Sequence, residues 1–181
     1  MTYEWIPTGV YPVSAAADYG VGIIYRMDKE MKNNEAKHKS PAMQLENTEL
    51  DGFLGTDSRP LAEIIRADEK DLKKLNLTHQ AIARRMSYFR EAGENGLGEF
   101  VKLAPHFEIS CEVARGFIPC PFGEPGMHRK TMVIVRNLRL RKEITFSDLN
   151  IHLIAAHDFY EGRGSPFRLE PVDLAQVLEI N

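Results

Sequence analysis

Apolar residues in this chain recur with two different periods. Across residues 59 to 92, Leu61, Ile64, Ile65, Leu72 and Leu75 lie among acids and lysines at offsets near three and four, and Ile82, Ala83, Met86 and Phe89 repeat the pattern. Side chains so spaced share one face of a helix, and the spacing predicts two amphipathic helices. Pro60 suits the opening of the first and Thr78 the N-cap of the second, which Gly93 and Gly96 are expected to end. LTHQAIARRM superficially resembles the first helix of a helix-turn-helix, but Ser87 then stands at the turn glycine and Gly93 at a buried apolar position. One continuous helix from His79 to Ala92, with Arg84, Arg85 and Arg90 in solvent, is the better reading.

After Gly98 the period falls to two. Phe107, Ile109, Cys111 and Val113 alternate with Glu108, Ser110 and Glu112, which predicts a half-buried strand over 107–114 with Cys111 inward. A second strand is predicted over 131–140, through Met132 to Val135 toward Leu138 and Leu140. PCPFGEPGMHRK between them, with its prolines and glycines, predicts an antiparallel ribbon with a long, structured connection.

ITFSDLNIHLIAAHDFYEGRGSPFR, residues 144 to 168, is the stretch around which the rest is organised. Ser147 can cap a helix whose first turn holds Asp148, and Leu149, Ile151, Leu153, Ile154, Ala155 and Ala156 cover most of its circumference. A central helix over 147–160, with Leu153 in the core, follows. Gly162, Gly164 and Pro166 force the chain out of it, and PVDLAQVLEI supplies a short closing helix. Helices, strands and helices in that order favour an α+β fold over a doubly wound one. The expected architecture is an antiparallel sheet built around the 107–114 and 131–140 strands, packed against the 147–160 helix and two or three further helices.

Residues 59–181 form the expected compact body. Residues 1–58 read as an irregular N-terminal arm or a further part of the same domain, since Pro7, Gly9, Pro12, Gly20 and Gly22 interrupt its apolar pieces and DGFLGTDS marks a turn-rich boundary.

Composition narrows the function classes only a little. The 181 residues, 43% hydrophobic and 27% charged, can bury a core without disulfides or metal. A net charge of −3 gives no general pull toward nucleic acid, and the basic cluster Arg136, Arg139, Arg141 and Lys142 reads as a solvated strand face. No apolar run reaches the roughly 20 residues that span a bilayer, and the start lacks a signal-peptide pattern, so a cytoplasmic protein with no membrane partner is expected. Cys111 and Cys120 are expected to remain thiols.

No phosphate-cradling loop, dinucleotide fingerprint, nucleophile elbow or H-E-x-x-H motif occurs. His106, Cys111, Cys120 and His128 occur in one region, but without close cysteine pairs or a His-x-x-x-His step, so no metal ligand is assigned and the cofactor is left open. His152 and His157 lie five residues apart, about 140° around a helix, so they are not expected simply to chelate one ion together. The bland reading makes them a hydrogen-bonded core histidine and a helix-end charge. The sharper one pairs Cys120 with His152 or His157 as nucleophile and base, Cys120 being expected on a surface or pocket wall, where a thiol reagent would reach it before Cys111. Arg163, Ser165 and Arg168 on the exit loop are candidate donors to a small anionic ligand, exposed enough that replacing both arginines should leave stability unchanged. The expected function is a small-ligand-binding or interaction domain; the alternative is a small hydrolase using a Cys/His or metal/His site.

Overall fold

The computed structural model describes residues 50–180, so the arm expected over residues 1–58 lies, up to residue 49, outside the described residues. The fold is α+β. Three helices open it, α1 (Asp51–Leu54), α2 (Leu61–Lys74) and α3 (His79–Glu94). Then come β1 (Val101–Leu103), β2 (Phe107–Pro119), β3 (Met127–Asn137) and β4 (Lys142–Ser147), followed by α4 (Asp148–His157) and α5 (Pro171–Val177). The four strands form one antiparallel sheet in the order β1-β2-β3-β4, each paired with its neighbour in sequence.

The two predicted strands are present but longer at the ribbon end, and the second is shorter at its other end. Beyond a register shift between Ala114 and Phe117, where Gly116 takes φ +99°, pairing resumes as Phe117 with Arg129, Ile118 with His128 and Pro119 with Met127. The bulge preserves the ladder past the end of the alternating pattern. The expected 131–140 strand instead stops at Asn137, turns through Arg141 at φ +54°, and returns as the separate strand β4. That turn divides the basic cluster. Arg136 pairs with Glu143, Arg139 with Glu179, and Lys142 donates to Gln176.

The α3 helix is continuous, as the rejection of a helix-turn-helix requires, and Thr78 caps it by accepting from Ala81 N–H. Gly93 lies inside the helix instead of ending it. A Cβ there would come within 2.7 Å of Ile109 Cγ2 and 3.0 Å of Cys111 Cβ, so glycine lets the helix press against β2. The main core joins Ile82, Met86 and Phe89 of α3 to Phe107, Ile109, Cys111, Val133 and Val135 of the sheet and to Ile154, Leu174 and Leu178.

A second apolar cluster combines Leu50, Ile64, Cys120, Leu149, Leu153 and Phe159, with Phe53, Ile118 and Phe122 packed against it. The two clusters bury α4 on more than one side, as its all-round apolar sequence demands. Ser147 caps α4 in a reciprocal box with Asn150, and Asp158, at φ 55°, ends it three residues before the expected end. Among the described residues no helix is long and apolar enough to cross a membrane.

Candidate metal centre

The end of the β2–β3 ribbon and the second half of α4 build a polar corner from residues far apart in sequence. Cys120 follows the last ladder pair of β2, and a tight turn, closed by Gly123 N–H donating to Cys120 O at 3.1 Å, carries the chain to Glu124. Gly123 takes φ +73°, a conformation that glycine adopts without a Cβ penalty. From the facing helix come His152 and His157. One ligating atom from each of Cys120, Glu124, His152 and His157 lies within 4.8 Å of every other.

The contacts inside the corner are close. Cys120 Sγ is 3.3 Å from His157 Nε2, and Glu124 Oε2 is 3.4 Å from His157 Nε2 and 3.5 Å from His152 Nε2. The His157 ring stacks on Phe122, centroids 3.9 Å apart with 8° between planes, and His152 lies against His128 at 4.0 Å. Helical spacing therefore misled as to the histidines' reach. The angle between positions fixes where each Cβ starts, but both imidazoles extend toward the loop covering that side of α4.

The Nε2 atom of His152 is buried with no hydrogen-bond partner among the described residues. Burial, reinforced by His128 and His157, pushes this imidazole down to about 4, so it is neutral at neutral pH and its ring can act as a metal ligand. Burial also raises the Cys120 thiol. Cys120 is only 4% exposed, which corrects the expectation of an accessible thiol: it is as enclosed as Cys111, at 3%. The strand face of Cys111 is inward as expected, but the connection folds Cys120 inward too.

The other sequence candidates separate. His106 Nε2 donates to Glu179 Oε1 at 2.7 Å, and Cys111 belongs to the main core. On the exit loop Arg163 is exposed, while Arg168 is half-buried and donates from both terminal guanidinium nitrogens, Nη1 and Nη2, to Asp68, at 2.9 and 2.6 Å. Asp68 is 2% exposed; burial raises its carboxyl and the guanidinium fork opposes that rise. Ser165 is buried and donates to Glu161, which also accepts from Asn150 Nδ2 at 2.9 Å. Ser165 and Arg168 are thus engaged within the fold.

The loop glycines permit a close backbone approach, as expected, but to α1 and the turn after it. A Cβ at Gly162 would sit 2.3 Å from Leu54 O, and Gly162 N–H donates to Phe53 O at 2.8 Å. Residues 50–58 consequently pack as part of the body. The loop does border a cleft, of about 620 Å³, but through Pro166 and Phe167, opposite Phe53, Val113, Ile118 and Leu149. Glu161 is the polar group the loop contributes.

Glu124 is the residue sequence reasoning missed. Its signal was the turn C-P-F-G-E, which returns the fifth residue toward the first. No protein-family model, curated protein or solved structure matches this chain. Its chemistry is therefore argued from the donors themselves. One sulfur, two imidazole nitrogens and a carboxylate suit a divalent ion of intermediate softness, zinc above all.

Proposed function

We propose that this protein binds a zinc-class divalent ion through Cys120, Glu124, His152 and His157, the metal/His form of the hydrolase alternative. The observation that carries this reading is the spacing of the donors. Zinc with bonds of about 2.0 to 2.3 Å holds tetrahedral ligands roughly 3.3 to 3.8 Å apart; three of the six donor pairs, at 3.3, 3.4 and 3.5 Å, fall within that range, and all six lie within 4.8 Å, so small side-chain shifts would bring the set onto one ion. The ion also gives the orphaned Nε2 of His152 a partner, removing the cost of a buried unpaired polar atom. A bare Cys120/His157 nucleophile pair is less well supported, because burial favours the thiol over the thiolate and encloses it, whereas a bound cation deprotonates a coordinating thiol.

The test is metal analysis of full-length protein purified without chelator, then reconstitution with cobalt. One equivalent per chain, with a thiolate-to-cobalt charge-transfer band that Cys120→Ser abolishes, is expected. Substoichiometric metal after reconstitution, or a band unaffected by Cys120→Ser, rejects the site.

A second reading, small-ligand binding in the cleft beside Phe167, is favoured by its largely apolar lining. The ligand would be chiefly apolar, since Phe53, Val113, Ile118 and Phe167 line the cleft and its charged residues, Glu112, Glu161 and Lys130, are of both signs. Competition for an apolar fluorescent probe, weakened by Val113→Trp, tests it; unchanged probe affinity in that variant rejects it.

A further inference from the structure

The four donors are not held alike. Cys120 is buried in the second apolar cluster, His157 is stacked on Phe122, and His152 is packed against His128. Both histidines project from a helix fixed by its capping box and by buried Leu149, Leu153 and Ile154. Glu124 differs. Its side chain is 41% exposed. It stands between Gly123 and Pro125–Gly126, and a Cβ on either of those glycines would meet nothing within 4 Å. Closed structural zinc sites use four protein ligands, whereas catalytic ones keep three and leave the fourth position exchangeable. Three anchored donors and one carboxylate on an open loop match the second arrangement.

Resting on the metal reading above, we propose that Glu124 is a displaceable ligand and that the site hydrolyses small acyl compounds, carboxylic esters or amides, reaching the ion from the solvent side of the 120–126 loop. When the carboxylate leaves the ion, water takes the fourth position, and the cation lowers its pKa toward about 7. The released carboxylate stays tethered beside that water and accepts its proton. The metal-bound hydroxide forms a new C–O bond to the acyl carbon, and the carbon's bond to the leaving oxygen or nitrogen breaks. The proton held by Glu124 passes to the leaving group, so one water is consumed and a carboxylic acid and an alcohol or amine are produced. No oxidant or reductant enters.

The experiment compares full-length wild type with Glu124→Gln, an exposed and nearly isosteric change. Azide added to cobalt-loaded wild type should alter the visible d–d bands, because it competes with Glu124 for the fourth position. Glu124→Gln should retain one cobalt or zinc per chain while zinc-dependent hydrolysis of para-nitrophenyl acetate falls by about a hundredfold, the lower range for losing a general base. Bands unchanged by azide, or a Glu124→Gln protein that sheds its metal, would establish a closed structural site and overturn the proposal. Absence of zinc-dependent ester hydrolysis in wild type, or wild-type hydrolysis by Glu124→Gln, would overturn the catalytic role of Glu124. Failure of wild type to take up any metal would be a different result, refuting the metal reading on which this one rests.

Discussion

Two buried polar groupings flank α4, and they differ in how completely they satisfy themselves. At the exit loop, Arg168 forks onto Asp68, donates to Glu161 O and reaches Glu170, while Ser165 and Asn150 serve the Glu161 carboxylate. At the ribbon end, Cys120, Glu124, His152 and His157 crowd together, yet His152 Nε2 is buried without a hydrogen bond among the described residues. A closed network of this kind holds the fold together, because every donor has a native acceptor and removing one strands the other. An incomplete one leaves a buried polar atom whose lost hydration no described residue offsets. The arginine loop, a candidate ligand site by residue type, has its buried polar groups tied into the fold, whereas the histidine corner leaves a buried ring nitrogen without a hydrogen bond among the described residues.

The sharpest way to break this comparison is at the closed network. Arg168→Gln should cost about 3 to 5 kcal/mol, the range for removing one partner of a buried pair, and Asp68→Leu combined with Arg168→Leu should cost less than the sum of the two single changes. Chemical denaturation of these variants decides it. A loss below about 0.5 kcal/mol, the usual surface range, would return Arg168 to the role of a spare ligand-binding donor.

Next in size is the support beneath the open corner. Leu153 is fully buried in the same cluster as Cys120, and Leu153→Ala should cost about 2 to 5 kcal/mol. If unfolding midpoints barely move, the cluster is not what positions the histidines.

The open corner should respond to metal where the closed one does not. Zinc at a hundredfold excess over its Kd should stabilise the wild type by about 2.7 kcal/mol, and thermal unfolding of His152→Ala should show none of that gain. An equal zinc shift in both proteins would place the ion elsewhere.

A smaller effect comes from pH at His79, which contacts Tyr160 OH at 3.2 Å and lies 3.9 Å from Asp158. Burial depresses this imidazole, outweighing the attraction of Asp158, Glu69 and Asp68, with Lys73 acting in the same sense as burial. With the folded value below the unfolded one, the unfolded chain takes up the proton first. His79 therefore stabilises fully above the unfolded value of about 6.5, and that contribution is lost as pH falls toward the depressed folded value. Since His152 shifts in the same direction, the measurement is a difference: between pH 7.5 and 5.5 the wild type should lose more stability than His79→Gln. Parallel losses would show that His79 does not titrate in this way.

The smallest effect is expected at Arg163, whose side chain is exposed and whose backbone makes the loop's contacts to Thr56 and Asp57. Arg163→Gln should change stability by less than about 0.5 kcal/mol, and a clear loss in the same denaturation series would extend the closed network to this residue.

The sequence by itself determined the features that short-range physics controls. The alternation from Phe107 to Val113 marked β2, offsets of three and four marked α2 and α3, and Ser147 marked the start of α4, because backbone geometry ties each pattern to one periodicity or one cap. Antiparallel α+β order followed from the succession of elements. Only the tertiary structure decided which polar residues meet. Asp68 and Arg168 are 100 residues apart, and Cys120 and His157 are 37 apart, so neither pairing leaves a periodic trace. Glu124 looked like one more loop carboxylate until the ribbon folded its turn onto α4. Whether a buried polar group closes a network within the fold or is left without a partner depends on what burial brings together, and burial is a property of the packed chain.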